Sequence, residues 1–377
     1  MVKEYDAVVV GAGPAGSTTA LRLAEAGAKV LVVDKARFPR DKPCGGGMTL
    51  RAVRQCPVDP SPVVEDKVDV VELRFRYDES VVRHAKQPVV WMTQRRRLDA
   101  FLLDAARERG ADVREETRVS FEDGNVLVLN GTERVRATAI VGADGANGMS
   151  AKALGLGGGI VHGVAYEGNA AWGVLDRDRY KHRAIIELAD IPGGYGWVFA
   201  KGDHANVGVG AWLDEGPKLR EFLDRLCEAH GIEASQLDAL RGHRLPLRRP
   251  GTTIAGRQAL LVGDAAGLVD PTSGDGMYEC FVSSARASEA ILDLLAGRTS
   301  TLVPYEAAVD AALGPLHKAS WKLKIALDRW PRASWRVART RLLWSSVERL
   351  LSGEIGAPGD EHGLARIPLR ALSVLGR

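Results

Sequence analysis

The 377-residue chain has only four cysteines, Cys44, Cys56, Cys227 and Cys280, and no two of them stand in CxxC spacing. That scarcity excludes a disulfide scaffold and a thiolate zinc site, and it suits a reducing compartment. His162, His204 and His243 show no ligand-like spacing, so no metal site is expected. No run approaches the roughly eighteen unbroken apolar residues of a transmembrane helix. Gly11, Gly13 and Pro14 break the apolar stretch near the N-terminus, which is too short for a signal peptide, and a cytoplasmic location is expected. An excess of one charge is also lacking. The 51 Lys and Arg against 48 Asp and Glu leave a net charge of +3, too little for wholesale nucleic-acid binding. No fixed-period repeat or low-complexity tract is visible. With 45% hydrophobic and 26% charged residues the chain is an ordinary globular one, long enough for about two to three structural units.

The N-terminal pattern is a strand, a glycine turn, a helix and a second strand. Residues 7–10 form a short continuous apolar run, the pattern of a parallel strand buried on both faces. Residues 11–16 turn the chain, residues 18–26 read as a helix stopped by Gly27, and residues 29–33 read as the next strand. Residues 70–77 alternate apolar with charged and predict a half-buried antiparallel strand, followed by a turn and a partner. Residues 98–109 predict a helix, and residues 135–141 a buried strand ending at Gly142-Ala143-Asp144-Gly145.

A middle region, about 155–250, carries further strand-like runs at 184–188, 197–200 and 207–213, interrupted by a helix at 218–230. Residues 259–262 then resume the buried parallel pattern and stop at Gly263-Asp264, and the chain after about Ser283 reads as helix. The expected fold is α/β (α+β overall), a Rossmann-like dinucleotide-binding domain with an inserted antiparallel-sheet domain and a helical C-terminus. Segments 1–69, 92–154 and 251–300 are assigned to the first domain, 70–91 and 155–250 to the inserted one, and 301–377 to the helical region.

Gly11-Ala12-Gly13-Pro14-Ala15-Gly16 fits GxGxxG and sits in the context that motif needs, after a strand and opening a helix, with Asp34 ending the next strand. Gly11 permits the tight turn, Gly13 lets backbone amides approach a pyrophosphate, and Gly16 allows close helix–strand packing. Phosphates would rest on the helix N-terminus, while Asp34 accepts from ribose hydroxyls. The fingerprint does not separate FAD from NAD.

The order of later motifs separates them. Arg95-Arg96-Arg97-Leu98-Asp99, Gly142-Ala143-Asp144-Gly145 and Gly263-Asp264-Ala265-Ala266-Gly267 come after GxGPAG in turn, and the set resembles the glutathione-reductase-type flavoproteins of the aromatic-hydroxylase branch. That resemblance implies FAD, with Arg95 near its phosphates and Asp264 at its ribityl and phosphate end. Lys42-Pro43-Cys44-Gly45-Gly46-Gly47, the segment Gly193-Gly194-Tyr195-Gly196-Trp197-Val198-Phe199, and residues 263–276 narrow it further. They resemble the cysteine–glycine, YxWxFP and GDAAGxxxPxxGxG segments of the geranylgeranyl reductase family. Ala200 stands where that signature has proline, and Gly148 and Lys152 where serine and arginine usually come after the DG motif.

The resemblance implies an FAD-dependent reductase that saturates isolated double bonds of an isoprenoid chain, whether polyprenyl diphosphate, prenyl lipid or menaquinone tail. Further expected cofactor contacts are Lys35, Gly45, Val119, Asp144 and Gly145. Pro271, Gly274, Gly276 and Met277 complete them, on a glycine-rich turn whose amides would face the flavin where negative charge develops. Tyr195 and Trp197 share one face of a strand and would line an apolar pocket. An unactivated alkene has no carbonyl to polarise, so hydride delivery needs a proton donor against the far carbon, and Cys44 is the candidate. Cys56, Cys227 and Cys280 are read as structural.

No second GxGxxG occurs in a strand–helix context, so NAD(P)H would dock transiently or a reduced electron-carrier protein would serve. The competing readings are a flavin monooxygenase of the same fold, a flavin halogenase, and a noncatalytic FAD-binding lipid carrier. Between Pro315 and Leu350, nine Lys and Arg residues interleave with Trp321, Trp330, Trp335 and Trp344. Pro331 is expected to divide this stretch into two helices, with Val337, Trp344, Val347 and Leu351 sharing a face of the second. Basic, tryptophan-bearing helices suit an anionic membrane surface, and a peripheral location there is expected in preference to a cap on the substrate domain. No nucleic-acid recognition motif accompanies the charge.

Overall fold

A computed structural model of the chain describes residues 2–123 and 125–376. It opens with strand Lys3–Val10, helix Pro14–Glu25 and strand Val30–Val33. Ala7 and Val9 pack on one face of the resulting sheet and Val8 and Val10 on the other, which is why the run is continuously apolar. The sheet runs Asp112–Arg114, Val30–Val33, Lys3–Val10, Glu133–Gly142, all parallel. Ala259–Leu261 joins the end of Glu133–Gly142 in parallel, after some 120 intervening residues of chain. The hairpin Val119–Glu122 and Val126–Leu129 extends the sheet antiparallel from the start of Glu133–Gly142. Helix Pro14–Glu25 packs against Arg95–Glu108 and Met277–Leu295 on one face of this sheet.

The second seven-stranded sheet has the order Leu237–Leu247, Val161–Ala171, His204–Trp212, Tyr195–Ala200, Arg183–Leu188, Val70–Phe75, Glu79–His84. Every pairing is antiparallel except that of Arg183–Leu188 with Val70–Phe75. Helix Leu219–Ala229 covers one face, where Phe222, Leu223 and Leu226 meet Val198, Val207 and Val209. The period of two then turns Tyr195, Trp197 and Phe199 to the opposite face. A small antiparallel sheet of Gly47–Thr49, Val90–Thr93 and Val64–Val68 adds a third layer.

The C-terminal region departs from expectation. Helix Pro304–Arg329 runs through Pro315, and Pro331 begins a short helix, Pro331–Ala338. A third helix, Arg341–Ser352, starts afresh, its cap Thr340 accepting the Leu343 N–H at 3.3 Å. Val337 therefore lies on a different helix from Trp344, Val347 and Leu351, and the single shared face does not exist. No described helix is long and apolar enough to cross a membrane.

Candidate active site

The sheets face one another across a cavity of about 740 Å³. One end is built by the first turn. Gly11 has φ +106°, and a Cβ there would lie 2.4 Å from the Ala143 carbonyl oxygen. A Cβ on Gly13 would meet nothing nearer than the guanidinium nitrogens of Arg40 and Arg95, at 3.8 and 3.9 Å. This is an open cradle between a helix N-terminus and two cations, shaped for a diphosphate. Arg95 is buried and forks onto Asp99 at 2.6 and 2.8 Å, with Arg40 3.2 Å from the same carboxylate. Burial opposes the Arg95 charge, but the Asp99 carboxylate outweighs it and holds the guanidinium above its ordinary range. Asp34 spends its two oxygens on the amides of Ala12 and Ala36, both at 2.8 Å, locking the turn while still lining the cavity.

At the centre, Asp264, in the turn just after strand Ala259–Leu261, meets Lys42 at 2.9 Å, with the His243 ring 4.0 Å away. Burial works against its charge, yet the Lys42 ammonium keeps the carboxyl well below the usual carboxylate range. The turn at 270–276 is tied by Asp270, whose Oδ1 accepts from Thr272 N–H, Ser273 N–H and the Ser273 hydroxyl. Asp275 accepts the Met277 N–H at 2.8 Å and so caps helix Met277–Leu295. Burial, helped by Glu279, pushes the Asp275 carboxyl up to about 7. Tyr195 donates its hydroxyl to the Ser273 carbonyl, joining the second sheet to this turn.

Cys44 sits on the loop of residues 42–46. Its N–H donates to Glu167, its carbonyl accepts from Lys201 at 3.1 Å, and its sulfur accepts the Gly46 N–H at 3.4 Å. Beyond the loop the walls are apolar: Val71, Met92, Ile186, Trp197, Phe199 and Leu245. Trp197 donates its Nε1–H to Asn206 at 2.7 Å, and Tyr195 packs on it with centroids 5.8 Å apart.

Nearly all of the expected site residues meet on this cavity: Gly11, Gly13, Pro14, Ala15, Asp34, Lys35, Cys44, Gly45, Arg95 and Val119, then Asp144, Gly145, Tyr195, Trp197, Asp264, Pro271, Gly274, Gly276 and Met277. Gly16 and Gly263 do not reach its wall. A Cβ on Gly16 would lie 1.9 Å from Gly11 O, and one on Gly263 would lie 2.9 Å from both Ala15 Cβ and Cys280 Sγ. They are packing glycines behind the wall. Asp144 also turns largely inward, accepting from Met149 and Ser150 amides at 2.7 and 2.9 Å.

Sequence reasoning missed Arg40, His243, Glu167, Lys201 and Lys324, because no local pattern marks a charge that burial by distant strands makes significant. Lys324 and Leu351 bring two C-terminal helices to the cavity wall. Trp335 stacks on Phe75 with centroids 5.4 Å apart and donates to Glu79 at 2.8 Å, while Trp321 stacks on Trp212. These two tryptophans cap the second sheet and are not free for a lipid surface. Among the described residues, Asp270, Glu279 and His317 meet closely behind the 270–276 turn. Asp270 is already saturated by Thr272, Ser273 and Ser320, so the cluster reads as a buried acid–base pair of Glu279 and His317, 3.5 Å apart.

The glycine cradle, the two arginines and the partly buried Asp264 fit the diphosphate and polyol of a flavin dinucleotide, and residues 4–189 match the FAD binding domain family model. The protein is an FAD-binding oxidoreductase. The chain is 31% identical to the chloroplastic geranylgeranyl diphosphate reductase of Oryza sativa subsp. japonica, over 82% of this chain and 72% of that one. It is also 31% identical to digeranylgeranylglycerophospholipid reductase 1 of Methanopyrus kandleri, over 78% of this chain and 81% of the relative. The chain belongs to the geranylgeranyl reductase family. In fold it is similar to a geranylgeranyl bacteriochlorophyll reductase-like protein of Thermoplasma acidophilum (TM-score 0.80, 23% identity, 100% of this chain and 96% of that one). A flavin-dependent brominase shares that fold (TM-score 0.79, 20% identity, 98% of each chain), so the fold by itself does not select the chemistry.

Proposed function

We propose that the protein saturates isolated C=C bonds of an isoprenoid chain carried by a polyprenyl diphosphate, a prenyl lipid or a quinone tail. The observation that carries this reading is the apolar half of the cavity, walled by Val71, Met92, Ile186, Trp197, Phe199 and Leu245, directly beyond the Cys44 loop. Gly11, Gly13, Arg40 and Arg95 would hold the FAD diphosphate, Asp34 the ribose, and Asp264 the ribityl chain. Residues 271–277 would present the Met277 helix N-terminus to the flavin. Bound FAD, once reduced by NAD(P)H or a carrier protein, supplies a hydride equivalent. Tyr195 and Trp197 orient the prenyl chain and exclude water, and Cys44 holds the proton for the second carbon.

The test is anaerobic. The flavin is photoreduced, geranylgeranyl diphosphate or a menaquinone is added, and reoxidation is followed together with product mass. Reoxidation with a two-hydrogen mass gain is expected. Reoxidation by oxygen alone across a prenyl panel would replace this reading with a monooxygenase.

Peripheral docking on anionic lipid accompanies the proposal. Trp330, Leu342, Leu364, Ile367 and Val374 are exposed among arginines of the C-terminal helices, an arrangement suited to a headgroup layer.

A further inference from the structure

Behind the Cys44 loop, on the side away from the apolar walls, lies a second chamber of about 40 Å³, large enough for one or two waters. Its lining is polar, with Glu167, Lys201, Asn206 and His204 on the sheet side and Lys42, Cys44 and Arg95 on the loop side. Glu167 and Cys44 border both this chamber and the main cavity. At the rim, Arg241 and Asp41 form a half-exposed ion pair at 3.3 Å, so the chamber meets solvent there.

Two of its residues are charged groups placed where isolated charges are costly. Glu167 and Lys201 are 7% and 6% exposed. Glu167 stands opposite Gly208, at a bulge where strand Val161–Ala171 slips against Leu237–Leu247. A Cβ on Gly208 would crowd both Trp197 and the Glu167 stem, so glycine there makes room for the carboxylate. Lys201 comes directly after strand Tyr195–Ala200 and lays its stem over Gly46. A pair meant only to latch a loop could be built from neutral donors and acceptors at lower desolvation cost.

We infer that Glu167 and Lys201 are a proton-supply pair that recharges Cys44 from solvent through this chamber. The inference rests on the prenyl-reductase reading. As the hydride of reduced flavin forms one new C–H bond, the Cys44 S–H bond breaks and its proton forms the other. The alkene gains two electrons and the flavin loses two. The Cys44 thiolate then takes the Glu167 carboxyl proton through chamber water, and the carboxylate takes a proton from solvent past Arg241 and Asp41. Lys201 stabilises whichever of the two is anionic.

The electrostatics agree with that division. Burial pushes the Glu167 carboxyl up against the pull of Lys201 and Arg241. Burial pulls the Lys201 ammonium down against Cys44, Glu167, Glu65 and Asp203. The carboxyl is thus shifted toward keeping its proton and the ammonium toward releasing one, relative to their exposed counterparts.

Glu167→Gln keeps an acceptor for the Cys44 N–H but holds no carboxyl proton. Cys44 alkylation by iodoacetamide, read peptide by peptide against pH, is expected to show two inflections in the wild-type holoenzyme and one in E167Q. Single-turnover reoxidation by geranylgeranyl diphosphate is expected to slow at least tenfold in E167Q and to recover partly in Glu167→Asp, with flavin retention unchanged. Lys201→Met, which keeps the stem over Gly46, is expected to slow Cys44 alkylation as well as reoxidation. Wild-type alkylation profiles and reoxidation rates in both E167Q and K201M overturn the inference. Altered alkylation profiles in a protein whose wild type reduces no prenyl substrate would leave the coupling standing and remove the prenyl reading.

Discussion

Two neighbouring glycines on the Cys44 loop answer differently to the same added methyl group. Gly46 has φ +78°, where an L-residue costs about 1–2 kcal/mol. A Cβ there would lie 2.1 Å from the Thr93 carbonyl oxygen and 2.8 Å from Lys201 Nζ. Thr93 cannot withdraw freely, because its own N–H donates to the Gly46 carbonyl at 2.8 Å. Forcing that backbone pair apart adds about 1–3 kcal/mol, so Gly46→Ala should cost about 2–5 kcal/mol locally. Gly45 lacks the positive φ, and its Cβ would crowd the edge of the Phe199 ring at 3.0 and 3.1 Å, with Trp197 Nε1 at an ordinary contact distance of 3.5 Å. A ring tip can yield by a few tenths of an ångström, at less than about 1.5 kcal/mol.

The loop carries Lys42 and Cys44, so flavin retention should report the damage first. At about 1.4 kcal/mol per tenfold, G46A should bind FAD at least about 30-fold more weakly. Cys44 should also become faster to alkylate, and G45A should stay within about tenfold of wild type in affinity. FAD titration of the apoprotein, urea unfolding and alkylation rates measure all three. An unperturbed G46A, or a G45A more damaged than G46A, would refute the account of the loop.

The parts of the site that were legible in sequence are those whose geometry is local. The run Ala7–Val10, the turn at 11–16 and the Asp34 position define a strand–turn–helix–strand without help from the rest of the chain, and the cradle is found there. The two-residue period in strand Tyr195–Ala200 was enough to place Tyr195 and Trp197 on one wall. Gly16 packs behind the wall as its place in the motif implies, whereas Gly263 shows the limit of a motif, since a glycine conserving space behind a wall and a glycine opening the wall read alike in one dimension. Glu167 was invisible for another reason. Its strand, VHGVAYEGNAA, has too much glycine and too little alternation to announce itself, and the bulge that aims the carboxylate depends on a partner strand some 70 residues away. Trp335 and Trp330 sit five residues apart in one basic tract, yet one is buried against Phe75 and the other exposed. Helical periodicity cannot assign those fates, because the partner surface comes from Val70–Phe75.

That contrast supplies a paired test. Trp335→Ala should cost about 3–5 kcal/mol of stability in urea unfolding, while Trp330→Ala stays within about 0.5 kcal/mol but loses sedimentation with phosphatidylserine vesicles. Equal stabilities would mean that the C-terminal helices do not cap the sheet, and unchanged sedimentation would remove the lipid-docking proposal. The last prediction concerns pH. His230 is buried in the second sheet's core, with Nδ1 2.9 Å from the Tyr180 hydroxyl. Burial, reinforced by Arg74 and Arg179, pushes its pKa down from 6.5 to about 4. Between those values the unfolded chain takes up a proton that the folded chain refuses, so stability is present above pH 6.5 and is lost as pH falls toward 4. The shift is worth on the order of 3 kcal/mol. His230→Gln cannot titrate, so the difference in unfolding free energy between wild type and H230Q should shrink by about that amount on acidification through this window. A difference that stays constant across it would mean that the ring is protonated in the fold, or reaches solvent.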